Sequence, residues 1–460
     1  MSLLSRYYFV FLAAYFIFCA IRIITKPMAN AISKGQGIVA PLLVVFAFLI
    51  LAFDGAFSLA TETLIFGGLV LAFVVAGSII IRRIFRNPCP IITNVMFLLL
   101  SLGFIMLHRL SPGLAMRQLA FAAAGLAASL FVPLFFRIFR NFWRAEKLYI
   151  FLCLGLVGIV TIADVLASIT GLPLIAVDEF GATRWISIAG FSFQSSEFAK
   201  PIFAVYLACA FRAKPSTGKL IFIGASSAAV IGILVLQRDL GSALMFFAVF
   251  ITVFYAATGN KILTAAGLAA ITAASIAAYS LFPHLRVRVA AWRNPWPLID
   301  DWGFQITQSL FAIGTWGAFG SGLGRGLPDR IPVVERDFIF AAVAEEFGWL
   351  FAVAIIAIYA ILLARSLQIA RRAANPLHAL MTLGFAVFLT FQAFVAIGGN
   401  IKFIPMTGIT LPFMSYGGSS VFVSILMIGG LNWLNGKADE GEAENADYSE
   451  QGQSNDTNLD

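Results

Sequence analysis

Three clusters of charged residues interrupt an otherwise apolar chain, and each holds the residue types needed to move a proton or bind an anion. The first is Glu335-Arg336-Asp337, which leads into an apolar run carrying Glu345 and Glu346. A carboxylate at such a junction can draw a proton from a hydroxyl. It can equally cap a helix and answer its dipole. Glu345 follows Asp337 by eight positions, which places the two on nearly one helix face about 12 Å apart. Ionisable residues within a membrane are costly and tend to be functional, so this polar stripe predicts a hydrated cavity. The second cluster pairs Arg184-Trp185 with a segment in which Glu197 and Lys200 are spaced i,i+3 and able to pair. The third is Gln237-Arg238-Asp239. Arg184 and Lys200 are candidates for binding an anion, the arginine through its planar fork. Glu197 and Asp239 could orient those cations or help hold a divalent ion, Mg or Mn. Gln305 and Gln308 lie one turn apart on a further helical face and complete the candidate substrate contacts.

The elements that must position these groups are membrane spans. The 460 residues are 60% hydrophobic and only 12% charged, where a soluble chain carries about a quarter charged residues. Continuous apolar runs, rather than period-two alternation, indicate helices and not a barrel. Runs able to cross about 30 Å of hydrocarbon fall near 7–25, 38–57, 62–81, 91–107, 117–136, 147–168, 198–212, 219–236, 240–257, 262–281, 338–364, 377–398 and 412–435. The fold class is therefore an all-α polytopic bundle. Clusters such as Arg82/Arg83/Arg86, Arg137/Arg140/Arg144, Arg212/Lys214 and Arg365/Arg371/Arg372 occupy every second loop, so all can face the cytoplasm together. The two long loops, 169–197 and 283–336, then lie outside with the three charged clusters. Within the second, Arg286, Arg288, Trp292 and Trp296 interleave with aliphatics, as in a helix lying at the headgroups. The glycine run Gly320 to Gly326 lacks the Lys-Ser/Thr ending of a phosphate loop. Four cysteines and three histidines are too scattered for a disulfide framework or a zinc site. Residues 437–460, acidic and nearly free of large apolar groups, read as a disordered cytoplasmic tail.

These residues also carry a resemblance. Gly-Ala-x-Arg-Trp-Ile at 181–186, Phe-Gln-x-Ser-Glu-x-x-Lys at 193–200 and Gln-x-Asp-Leu-Gly at 237–241 are joined by Gly-Phe-Gln-x-x-Gln-Ser at 303–309. Asp337-Phe-Ile-Phe, Ala344-Glu-Glu-Phe-Gly348, Pro405 to Pro412 and Ser415-Tyr-Gly-Gly-Ser-Ser420 follow in order. Together they resemble the SEDS proteins (shape, elongation, division and sporulation), the RodA/FtsW group of cell-wall polymerases. The resemblance implies a ten-span core over 89–436, preceded here by about three extra spans in 1–88. It implies a glycosyltransferase that adds disaccharide units from lipid II to a growing glycan, with Asp337 as the essential carboxylate and Trp185 functionally important. The implied partner is a class B penicillin-binding protein, a transpeptidase, and the implied location is the bacterial inner membrane, with no nucleic acid involved. Relatives commonly carry Pro where this chain has Ser195 and Arg238, and a Tyr-Ser-Ala-Ser-like stretch at Leu107-His108-Arg109-Leu110.

The chemistry asks for a base on the attacking sugar hydroxyl and cations on the departing pyrophosphate. Asp337 is the expected base. Passage from an α-linked donor to a β-linked product would be one inverting displacement without a covalent nucleophile. A transporter or flippase for a lipid-linked precursor would use intramembrane carboxylates and a hydrated cavity equally well, but no inverted repeat is visible.

Overall fold

The computed structural model describes residues 2–25, 30–54, 57–139, 141–170, 176–179, 182–188 and 191–456, with side chains left aside at 2–5, 30–31, 54, 57–59, 164–165, 167–170, 176–192, 284 and 441–456. Seventeen helices are described. The first three are α1 (Ser2–Thr25), α2 (Asn30–Asp54) and α3 (Phe57–Ile84). There follow α4 (Pro90–Leu110), α5 (Pro112–Leu130), α6 (Val132–Ile138) and α7 (Glu146–Thr170). A small antiparallel sheet, β1 (Ala176–Glu179), β2 (Ala182–Ile188) and β3 (Phe191–Gln194), comes next, in the order β1-β2-β3. Then come α8 (Ser195–Phe211), α9 (Thr217–Leu236), α10 (Leu240–Thr258), α11 (Lys261–Leu281) and α12 (Pro283–Arg293). The last are α13 (Phe304–Thr315), α14 (Ile339–Phe347), α15 (Trp349–Arg372), α16 (Pro376–Asn400) and α17 (Gly418–Asp456).

Among the described residues, twelve stretches are long and apolar enough to cross a membrane. The expected span near 198–212 is α8, whose 17 residues sit at the lower end of what a bilayer needs. Starts and stops follow local chemistry. Proline opens α4, α5 and α16, where its missing N–H costs nothing. Asp239 and Asn260 cap α10 and α11 by accepting from Ser242 N and Leu263 N. Helix α4 is buried along nearly its whole length, whereas α11 has no buried residue. The bundle therefore has a centre at α4 and a margin at α11.

Two expectations are corrected. The run 338–364 is not one helix but α14 and α15, broken at Gly348, which adopts φ 87° and ψ 165°. Only glycine settles in that region, and a Cβ there would stand 2.2 Å from the Ala318 carbonyl oxygen. Residues 437–460, expected as a disordered tail, begin as a continuation of α17, helical to Asp456. Ala and Glu favour that state, and Arg372 holds the start of the segment through Asp439 (2.8 Å) and Asn435 (2.9 Å). The loop 169–197 contains the three-stranded sheet.

The N-terminal helices pack on the rest of the bundle. Gln36 of α2 accepts from Asn94 of α4 (3.0 Å), and His108 bonds Thr63 of α3 (3.2 Å). One end of the bundle gathers Arg86, Arg372, Asp439 and Glu440. The opposite end gathers Arg6, Arg109, the glycine run and Asp337.

Candidate functional site

The irregular segment between α16 and α17, from Ile401 to Gly417, organises the site. Proline and glycine keep it out of a helix, which leaves backbone groups that no neighbouring turn satisfies. Buried side chains do so instead. Gln118 of α5 donates to the Ser415 carbonyl (2.8 Å) and accepts from Gly417 N (3.2 Å). Gln392 of α16 donates to the Thr410 carbonyl (2.9 Å) and to Ser420 Oγ (3.1 Å). Arg288 and Trp292 of α12 donate to the carbonyls of Thr407 (3.4 Å) and Lys402 (3.1 Å). This α12 is the Arg/Trp helix expected at the headgroups, and it is also a strut for the segment.

On one flank lies a buried polar network. Glu197 and Lys200 pair at 2.6 Å, as their spacing on α8 allows. Lys200 Nζ also donates to Gln392 Oε1 (2.7 Å), which ties the ion pair to Thr410 and Ser420. Asp239 accepts from Ser242 N (3.2 Å) and from Gln194 Nε2 (3.3 Å), and Gln194 N donates to Ser419 Oγ (3.1 Å). Gln194 in turn faces Trp185 in the β2–β3 register. The sheet thus sets the backbone of Arg184-Trp185 beside Asp239 and the start of α17. The side chains of Arg184 and Trp185 lie outside the described residues.

Asp337 occupies the other flank. It lies just before α14, whose N-cap is Phe338. Asp337 is half-buried, and its Oδ2 stands 3.6 Å from where a Cβ on Gly408 would be. Its carbonyl accepts from Asn400 Nδ2 (2.7 Å), whose Oδ1 receives Ala341 N (3.3 Å). Gln305 of α13 donates to the Pro332 carbonyl in the approach to Asp337 (3.4 Å), and Gln308 sits half-buried one turn on.

The roles expected of several groups change. Lys200 has no exposed surface, and Glu197 and Asp239 are 5% and 2% exposed. In this arrangement Lys200 is engaged by Glu197 and Gln392, and Asp239 by Ser242 and Gln194. Glu345 accepts from Leu327 N (2.7 Å) and Glu346 from Gly324 N (3.0 Å). They bind the glycine run that precedes them in the chain. Among the described residues no group of three or more His, Cys, Asp and Glu is placed to hold a metal. Glu197 and Asp239 are already engaged, so this donor set does not fit a divalent cation. Gln118, Gln194, Gln392 and Asn400 were not singled out as site residues; their signal is an amide near or within an apolar span. At Arg238 φ is 59°, a value closed to proline, so this turn is built unlike that of relatives with Pro there.

The arrangement defines a polytopic membrane protein with one acidic site at the end of its bundle. Comparison with known proteins agrees. The cell cycle protein family FtsW/RodA/SpoVE matches residues 89–437. The peptidoglycan glycosyltransferase RodA of Mycobacterium tuberculosis is 34% identical over 375 residues, 76% of this chain and 78% of its own length. A probable peptidoglycan glycosyltransferase FtsW from Geobacter sp. (strain M18) is 35% identical over 258 residues, 54% of this chain and 70% of its own. Among solved structures, a chain of a peptidoglycan synthase complex that coordinates polymerization and crosslinking superposes with a TM-score of 0.64 at 25% identity, over 77% of this chain and 99% of that one. The Thermus thermophilus rod shape determining protein RodA shares the fold, with a TM-score of 0.54 at 23% identity over 76% and 96% of the two chains. This chain belongs to the FtsW/RodA/SpoVE family.

Proposed function

We propose that this chain is a peptidoglycan glycosyltransferase of the bacterial cytoplasmic membrane, polymerising lipid II on the outer face beside a class B penicillin-binding protein. The observation that carries the reading is the setting of Asp337. Asp337 is half-buried at the end of the bundle, with its carboxylate near Gly408 and its backbone carbonyl held by Asn400. Polymerisation forms a bond between a sugar hydroxyl oxygen and an anomeric carbon, and breaks the bond from that carbon to the lipid pyrophosphate. Asp337 takes the hydroxyl proton, which makes the oxygen a better nucleophile as the new bond forms. The pyrophosphate leaves with the bonding pair, and the configuration at carbon inverts. Neutralising its charge falls to Arg184, whose guanidinium suits phosphate oxygens. Trp185, Gln305 and Gln308 position the sugars. The family and the charge of the short loops support this partner and this side of the membrane.

The test is chain growth by purified protein on labelled lipid II in detergent, resolved on a gel. Detergent removes membrane sidedness, so a flippase yields no product there. Asp337→Asn and Asp337→Ala are expected to abolish elongation while the protein still purifies as a folded monodisperse species. Full elongation by Asp337→Ala would refute the assignment.

A further inference from the structure

The segment that delivers Asp337 is clamped at its far end by groups outside the polar network. Ser321 and Gly322 donate their N–H groups to the carbonyls of Glu345 (2.8 Å) and Glu346 (2.9 Å), at the end of α14. The Glu345 and Glu346 carboxylates, 5% and 1% exposed, reach back to Leu327 N and Gly324 N. The cation set against them is Arg109, at the last turn of α4. Its Nε lies 3.3 Å from Glu346 Oε1, its Nη2 donates to the Gly326 carbonyl (3.2 Å), and its Nη1 meets Asp329 Oδ2 (3.4 Å). Helix α1 closes the other side. Arg6 donates to the Ser321 carbonyl, Tyr7 lies 4.7 Å from the Phe319 ring, and Phe9 lies 4.8 Å from Phe347.

We propose that Arg109, assisted by α1, is a positioning residue for polymerisation: it locks the 318–330 loop onto α14 and so sets the depth at which Asp337 stands. The inference rests on Asp337 being the base. The lever is short, because α14 has nine residues and so spans about 13 Å. Asp337 precedes one end and the clamped glutamates form the other, so a shift at the glutamates is passed along one rigid turn after another. Two buried carboxylates need a countercharge, and removing it leaves a costly unpaired charge. The loop and α14 then part most readily, since what else joins them is chiefly two backbone bonds and the bonds of the two glutamates to Gly324 N and Leu327 N. Arg109 touches the loop and α14 and reaches neither Lys200 nor the Ile401–Gly417 segment. The clamp also gives helix α1 a task at the site.

The experiment uses the full chain carrying Leu323→Cys. Leu323 is 1% exposed under the clamp, and the four native cysteines are all buried. Maleimide labelling of the introduced thiol and lipid II polymerisation are both measured. Adding Arg109→Gln is expected to speed labelling about tenfold or more, by opening the loop locally. It should also lower kcat about tenfold with KM changed less than about twofold, the sign of a misplaced catalytic group. Arg109→Lys should restore both to within about threefold of the parent, because the charge returns without the fork. Adding Arg6→Gln with Tyr7→Ala should speed labelling by about threefold. An unchanged labelling rate in Arg109→Gln would overturn the proposal, as would faster labelling with kcat intact. A parent protein that makes no glycan would defeat the polymerase reading alone, and labelling would still decide the clamp.

Discussion

Replacing Lys200 with methionine removes a cation that has no exposed surface and strands the Glu197 carboxylate 2.6 Å away. At that distance the direct attraction is roughly 6 kcal/mol for an effective dielectric near 20. Burying each ion costs several kcal/mol, so the intact pair contributes little net stability, whereas breaking it costs about 3–5 kcal/mol. Lys200→Met is expected to lose about that much. The double variant Glu197→Leu/Lys200→Met removes both charges. It should return to within about 2 kcal/mol of the parent, the remainder being the donor that Gln392 Oε1 loses. With Glu197→Leu alone also costing about 3–5 kcal/mol, the cycle predicts a coupling of roughly 4–8 kcal/mol. SDS-driven unfolding in mixed micelles, followed by tryptophan fluorescence, reads these differences. The double variant is also expected to fold yet polymerise slowly, since Gln392 no longer has Lys200 to fix it against Thr410. Parent-like stability of Lys200→Met within about 1 kcal/mol, or a double variant no better than the sum of the singles, would refute the reasoning.

Gly348→Ala should cost about 3 kcal/mol or more, from a forbidden backbone region and a contact with the Ala318 carbonyl; the yield of monodisperse protein after mild heating checks it. Asn400→Ala removes the donor to the Asp337 carbonyl and the acceptor of Ala341 N. It is expected to cost about 1–3 kcal/mol and to lower kcat more than it raises KM in the lipid II assay.

Span number and the alternation of charge were legible, because each depends on local composition over about twenty residues. The Glu197–Lys200 pair was legible for the same reason: one helical turn joins them. The break at Gly348 was not, since apolar residues continue on both sides and a lone glycine inside a helical pattern is tolerated. What makes it a break is the backbone of Ala318 and Gly320 pressed against it, some thirty residues earlier in the chain. The same distance hid the meaning of Glu345 and Glu346. Read along one helix they form a stripe that suggests water, but their partners are the N–H groups of Gly324 and Leu327. The burial of Lys200 was equally invisible, because Gln392, which accepts from it, arrives from another span.

Gln118, Gln392 and Asn400 play the part that water plays around an irregular loop in a soluble enzyme. They are a resident solvent, carried into a place where bulk solvent is absent. A scan of random substitutions would score all three as indispensable although the bonds they make are to the protein's own backbone and neighbouring side chains. Any such map of this molecule needs a parallel measure of how much protein survives in the membrane. Only positions that lose turnover at normal abundance belong with Asp337.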